Sequence, residues 1–241
     1  MGSKNSISLQ IKEIIDLNRI SNQVYYEPMC GGCNMIDKMK GKRFASDNNK
    51  YLIAMWKGLQ QCLERPIIIS KEMYNNAKCD YVNNNNKYYS DFIIGYVGFM
   101  ASFNGKFFNG YATNEKRNYI IESINNIENQ IKLLKDVYFK CCDYTEVEYI
   151  KNSVIYFDIP YINTTNYKIN TFNHNEFYSF AEEKSKQGHK VFISEYWMPE
   201  DRFIKIWSKQ INSNLSTQSQ KKNESLFIPK DQKIFIQKQL F

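Results

Sequence analysis

No stretch of the 241-residue sequence approaches the roughly 20 consecutive apolar residues that a membrane-crossing helix needs. A helical membrane anchor is therefore not expected. Met1-Gly2-Ser3-Lys4-Asn5 leads into an amphipathic segment instead of the apolar stretch of a signal peptide, which points to a cytoplasmic location. Histidine is scarce, with only His174 and His189. Six cysteines stand at positions 30, 33, 62, 79, 141 and 142, and Cys30 and Cys33 have the spacing of a metal-binding pair, but no second pair of that spacing follows. No metal is expected, and a reducing compartment argues against disulfides. There is no internal repeat, which removes solenoid architectures.

The sequence does carry 32 Lys and Arg against 25 Asp and Glu, a formal net charge of +7. That balance favours a polyanionic partner, although a solubilising surface would produce it too. The length suits one core with an accessory region and is short for two large domains.

Ile7, Ile11, Ile14, Ile15 and Leu17 make the apolar stripe of a first helix, and Val24 to Tyr26 read as a short buried strand. A second strand fits Arg43 to Ser46, ending at Asp47, and Tyr51 to Leu63 read as a helix, which together begin an α/β pattern. From Pro66 the pattern changes. Tyr88 to Tyr111 contain nine Phe or Tyr residues and four glycines, with Asn-Gly turn signals at Asn104-Gly105 and Asn109-Gly110. Residues 66–136 read as a mostly helical insertion with a glycine-aromatic loop at its centre and a helix over Tyr119 to Lys135; most of the nine rings are assigned to the core. The α/β pattern resumes with Val137 to Cys142, ending at Asp143, and with Val154 to Phe157. A helix over Asn173 to Gln187 then leads into a strand at Val191 to Ser194. Phe203 to Trp207 and Lys233 to Ile236 are the expected last strands, paired as a hairpin, and the polar, lysine-containing segment Ser213 to Ser225 reads as a loop. The divisions are 1–65 and 137–241 for one α/β domain of the doubly wound, Rossmann-like kind, and 66–136 for the insertion.

Two clusters carry chemistry. Asp158-Ile159-Pro160-Tyr161 follows the apolar run Ser153 to Phe157, and a carboxylate, a free backbone carbonyl and an aromatic ring at a strand end can hold a planar, amino-bearing base. The bland alternative is a turn cap at Asp158 with Tyr161 packed on a sheet edge. Upstream, Tyr25-Tyr26-Glu27-Pro28-Met29-Cys30-Gly31-Gly32-Cys33-Asn34 reads as a strand ending in a glycine pair that opens a helix, where a nucleotide-like cofactor can approach backbone N–H groups. Asp47, about 20 residues after Glu27, stands where an acid can accept from ribose hydroxyls, with helix capping as the rival role.

These residues resemble the Dam-like, or D12-class, N6-adenine DNA methyltransferases of the short phage and bacterial type, and the resemblance spans nearly the whole chain. It implies a Rossmann-like methyltransferase sheet that binds S-adenosyl-L-methionine and methylates adenine N6 in a short double-stranded DNA sequence. Met1 to Lys4 look like the family's amino-terminal cofactor motif, with Lys4 near the methionine carboxylate. Tyr26, Glu27, Pro28, Met29, Cys30, Gly31, Gly32 and Asn34 fall in its cofactor loop. Asp47 with Asn48 matches the ribose-binding position, and Asp143 with Tyr144 the position that meets the cofactor's adenine. Asp158, Ile159, Pro160 and Tyr161 match the catalytic tetrapeptide except at Ile159, where the family ordinarily has proline. Isoleucine keeps the carbonyl acceptor and gives up proline's fixed φ, which predicts looser pre-organisation. Residues 66–136 fall where such enzymes carry target recognition, and Asn104, Lys106, Asn109, Lys116, Arg117 and Asn118 are the candidate DNA contacts. A monomer is implied, and a separate cognate restriction endonuclease is compatible with the class. The alternatives are an RNA adenine or DNA cytosine-N4 methyltransferase using similar amine chemistry, and a catalytically weakened DNA-binding protein with the same fold.

Overall fold

The computed structural model describes residues 4–114, 116–162, 172–213 and 220–234. Among the described residues seven strands form one sheet: β1 (Tyr25–Pro28), β2 (Arg43–Asp47), β3 (Val137–Cys141), β4 (Val154–Asp158), β5 (Lys190–Glu195), β6 (Phe203–Ser213) and β7 (Gln220–Pro229). Their spatial order is β3-β2-β1-β4-β5-β7-β6. The first five are parallel, and β7 pairs antiparallel with both β5 and β6. Because β2 lies on one side of β1 and β4 on the other, the chain reverses its winding between β1 and β4. A crevice outside the carboxyl ends of these strands is where an open α/β sheet takes a ligand.

The parallel strands alternate their side chains between two apolar layers. Tyr25, Val154, Tyr156 and Phe192 enter the layer built with α1 (Ser8–Asn18), α2 (Lys50–Gln60), α4 (Asp91–Met100) and α5 (Tyr119–Ile131). Tyr26, Ile155, Phe157, Val191 and Ile193 enter the opposite layer with α6 (His174–Lys186). The sheet is thus covered on both faces, as the expected doubly wound fold requires.

Between β2 and β3 lie α3 (Lys71–Asn83), α4 and α5, so the segment after Pro66 is mostly helical as anticipated. Ser70, Ser90 and Asn118 cap these three helices with their side chains. The glycine-aromatic loop closes on itself through Phe103 N–H to Gly110 O at 2.9 Å and Ala112 N–H to Ala101 O at 2.8 Å. Of its region's nine rings only Tyr88 and Phe103 are exposed; the others pack into the layer containing α2.

Three expectations need correction. The glycine pair opens no α-helix: the chain continues through turns into a single 3-10 turn at Ile36–Lys38. The last hairpin is formed by Phe203–Ser213 and Gln220–Pro229, so much of the segment read as a loop is strand, and Lys233 and Ile234 lie outside any strand. The remaining part of that expected strand, positions 235 and 236, lies outside the described residues, as do Met1, Gly2 and Ser3.

Candidate active site

Parallel strands end on the same edge of a sheet, so the acids that terminate them are brought together irrespective of their distance in sequence. Glu27, Asp47, Asp143, Asp158 and Glu195 stand at or just beyond the carboxyl ends of β1, β2, β3, β4 and β5. Glu27 and Asp158 flank the β1/β4 crevice.

The loop after β1 is tightly held. Met29 and Cys33 adopt positive φ (64° and 55°), as does Gly31 (45°). Cys30 N–H donates to Ser46 O at 2.9 Å, and the Gly31 N–H to Asp47 Oδ2 at 3.2 Å. Two side chains from beyond the loop fix its carbonyls. Trp56 of α2 donates to Gly31 O at 3.1 Å, and Gln130 of α5 donates to Gly32 O at 2.8 Å and to Asp37 Oδ2 at 3.1 Å. Asp47 also accepts from Asn49 N–H at 2.9 Å, so this carboxylate braces the loop as well as facing it. Burial raises its pKa against those two N–H donors. Glu27 is 3% exposed and accepts from the Tyr25 hydroxyl at 3.3 Å. Burial, reinforced by the Asp158 and Asp37 charges, drives its pKa well above the ordinary carboxylate range.

Other expected cofactor residues separate into those that face the edge and those that do not. The Tyr26 ring stacks on Phe44 at 4.9 Å inside the α6 layer, and its hydroxyl bonds Glu148 O and Ile150 N–H. Only the Tyr26 backbone is left for the loop. Pro28 and Cys30 are buried, Met29 and Asn34 half-buried, and Asn48 exposed. Asp143 caps a 3-10 turn at Tyr144–Glu146 through Thr145 N–H at 3.0 Å, with Glu146 completing the capping box. The Tyr144 ring packs edge-on against Phe157, Phe177 and Phe180.

At the end of β4, Asp158 Oδ1 lies 3.1 Å from Lys4 Nζ. Lys4 is 5% exposed, sits 4.3 Å from the Tyr161 ring centroid and also bonds the Tyr161 hydroxyl. Burial lowers the pKa of Lys4, but Asp158 and Glu224 outweigh it and the net shift is upward. Burial raises Asp158, and Lys4 opposes that rise without cancelling it. Ile159 points into the α6 layer at 2% exposure, and the Pro160 carbonyl lies 3.0 Å from His174 Nε2. The Tyr161 ring meets Tyr196 edge-on at 4.4 Å. Lys4, expected near a methionine carboxylate, is thus placed against Asp158 and Tyr161 of the Asp158–Tyr161 tetrapeptide.

The expected DNA contacts lie apart from this cluster in sequence and on two adjoining stretches. Asn104 and Asn109 are exposed and Lys106 half-buried in the glycine-aromatic loop. Lys116, Arg117 and Asn118 are exposed at the start of α5, where Arg117 pairs with Glu122 and Asn118 accepts from Ile121 N–H as the helix cap.

Sequence reasoning missed Glu195, Tyr196, Glu224, Trp56 and Gln130. An acid directly after the strand Val191 to Ser194 was a usable signal for Glu195, since Asp158 has the same placement. Trp56 and Gln130 act across the fold and had no local signal. Among the described residues no cluster of His, Cys, Asp and Glu is placed to hold a metal ion, and no helix is long and apolar enough to cross a membrane.

The row of carboxylates fits S-adenosylmethionine, whose amine, ribose hydroxyls and adenine amino group are all hydrogen-bond donors. A family model described as D12 class N6 adenine-specific DNA methyltransferase matches residues 1–223. No curated protein matches the chain.

Proposed function

Because the chain belongs to the D12 class of N6 adenine-specific DNA methyltransferases, enzymes that use S-adenosylmethionine to methylate adenine N6 in DNA, we propose that the β1/β4 crevice is its methyl-transfer centre. The observation that carries this reading is the placement of Asp158 and the Glu27–Gly32 loop on adjacent strand ends at the point where the sheet reverses its winding. In this reading Glu27 and the loop N–H groups hold the amino-acid end of S-adenosylmethionine, Asp47 the ribose and Asp143 with Tyr144 the adenine ring. When bound, S-adenosylmethionine supplies a methyl group already activated by its positive sulfur.

The chain's own task is to make a poor nucleophile attack. The lone pair of an exocyclic adenine amine is delocalised into the ring. Asp158 and the Ile159 carbonyl accept the two amino hydrogens, which favours localisation of that pair and the positive charge that develops on nitrogen. S-adenosylmethionine held by the loop after β1 would supply the methyl group to this nitrogen, and Asp158 and the Ile159 carbonyl would receive the amino proton that the nitrogen then gives up. Tyr161, braced against Tyr196, is the surface on which the extruded base stacks. Residues 66–136 carry target recognition on double-stranded DNA, with Asn104, Lys106, Asn109 and Lys116 as its polar contacts, and the enzyme acts as a monomer.

Transfer of labelled methyl to unmethylated duplex DNA, followed by digestion to nucleosides, tests this. Wild type is expected to yield N6-methyladenine and Asp158→Ala to lose at least about 100-fold in rate, the usual scale for removing a group that stabilises transition-state charge. N4-methylcytosine as the product, or transfer undiminished in Asp158→Ala, would overturn the assignment.

A further inference from the structure

Glu224 has no part in the assignments above, yet it touches two of their members. It lies on β7, whose antiparallel register pairs Ser225 with Glu195 and so brings Glu224 to the carboxyl end of β5. Its side chain is 6% exposed. One of its oxygens, Oε2, accepts from the Tyr161 hydroxyl at 2.7 Å and from Lys4 Nζ at 3.1 Å. The same ammonium lies 3.1 Å from Asp158 Oδ1.

We propose that Glu224 is a positioning residue for methyl transfer, sharing the Lys4 ammonium with Asp158 so that Asp158 retains an acceptor for the target amine, and orienting Tyr161 through its hydroxyl. This rests on the reading of the crevice as the methyl-transfer centre. A buried ammonium needs a carboxylate partner, because a charge left unpaired in a low-dielectric site loses its hydration without compensation. With Glu224 present that partner is divided between two acids. Without its charge, Lys4 belongs to Asp158 alone and competes with the base for the same oxygens. The charge count supports the role: one ammonium between two carboxylates leaves one negative charge in surplus, facing the site where positive charge develops on nitrogen. Beyond the effect of burial, the Asp158 charge in turn raises the pKa of Glu27 from β1, Tyr156 from β4, and Glu195 and Tyr196 from the end of β5. All four are acids; among the described residues the charges acting on Asp158 are the Lys4 ammonium and the Glu224 carboxylate, and Glu224 decides how much of Lys4 Asp158 receives.

The test is a carboxyl-carbon NMR titration of Asp158 in the full chain, assigned with Asp158→Asn, alongside single-turnover methyl transfer to duplex DNA. Glu224→Gln is expected to move the Asp158 midpoint to lower pH and Lys4→Met to higher pH. Glu224→Gln should also slow transfer by about 10-fold or more, the scale on which misplaced positioning groups act, while S-adenosylmethionine affinity stays within about twofold of wild type. Glu224→Asp, which keeps the charge, should restore most of the midpoint and of the rate. An Asp158 midpoint unmoved in Glu224→Gln, or a shift in the same direction as Lys4→Met, would overturn the proposal. Failure of the underlying reading would look different: wild type itself would transfer no methyl group to DNA.

Discussion

Ile159 stands where the family's tetrapeptide ordinarily has proline, and its side chain is buried in the apolar cluster that also holds Tyr26, Phe157, Phe177, Met198 and Phe203. A buried branched side chain can restrain the tetrapeptide from beneath, in place of a ring that restrains φ. Ile159→Ala should therefore lower stability by about 2–5 kcal/mol, the range for emptying a buried aliphatic site. Ile159→Pro should lower Tm as well and leave methyl transfer no faster than wild type; a faster Ile159→Pro enzyme would show that φ restraint was what the chain had lost. Glu195 gives a second test. It is fully buried, and burial lifts its pKa from the ordinary 4.5 to about 7 despite the N–H groups of Tyr196 and Ile162. Since the folded form holds this proton more tightly than the unfolded chain, stability falls as pH rises from about 4.5 through about 7. Removing that dependence with Glu195→Gln should make Tm, measured relative to wild type, increasingly favourable to the variant between pH 5 and pH 8.

At the scale of elements, the loop after β1, proposed to hold the cofactor, depends on helices far from it in sequence. Gln130, on α5, makes its two bonds to Gly32 O and Asp37 through a single amide nitrogen. Gln130→Ala should weaken S-adenosylmethionine binding by about fivefold, as the loss of roughly 1 kcal/mol of hydrogen bonding implies, with little change in single-turnover rate at saturation. Isothermal titration of wild type and variant measures this. The insertion is joined to the same framework by close helix contact. At Gly95 of α4 a Cβ would stand 2.1 Å from the Tyr51 carbonyl oxygen of α2, and backbone cannot yield as a flexible side chain does. Gly95→Ala is expected to cost about 1–3 kcal/mol or more through overpacking, visible as a lower Tm of the whole chain. Nothing local in the sequence shows which helix will lie against Gly95. The second strand of the expected hairpin, β7, escaped for a related reason. Its polar residues lack an apolar alternation, and Glu224 is buried because Lys4 and Tyr161 await it there, partners some 220 and 63 positions away.

For the molecule as a whole, the net charge of +7 makes DNA affinity fall with salt, since each phosphate neutralised releases bound counterions. Lys106→Ala should lower the magnitude of the slope of log affinity against log salt by about 1 if its ammonium meets a phosphate. Anisotropy titrations of a labelled duplex from about 50 to 200 mM salt measure that slope. An unchanged slope would remove Lys106 from the interface and leave the exposed residues at the start of α5 as the principal contacts.

The sequence alone determined the α/β class, the first five strands within a few residues, the helical character of the insertion and the two clusters at the ends of β1 and β4. It could do so because strand alternation, glycine turns and acids after apolar runs are local patterns, readable within about ten residues. Only the tertiary structure decided that Lys4 sits on Asp158, that Glu224 shares it, that Tyr26 turns its ring into the core and that Trp56 and Gln130 hold the loop after β1. Those outcomes depend on which strand lies beside which, and on the cost of leaving a buried charge unpaired, and neither is expressed in any short stretch of chain.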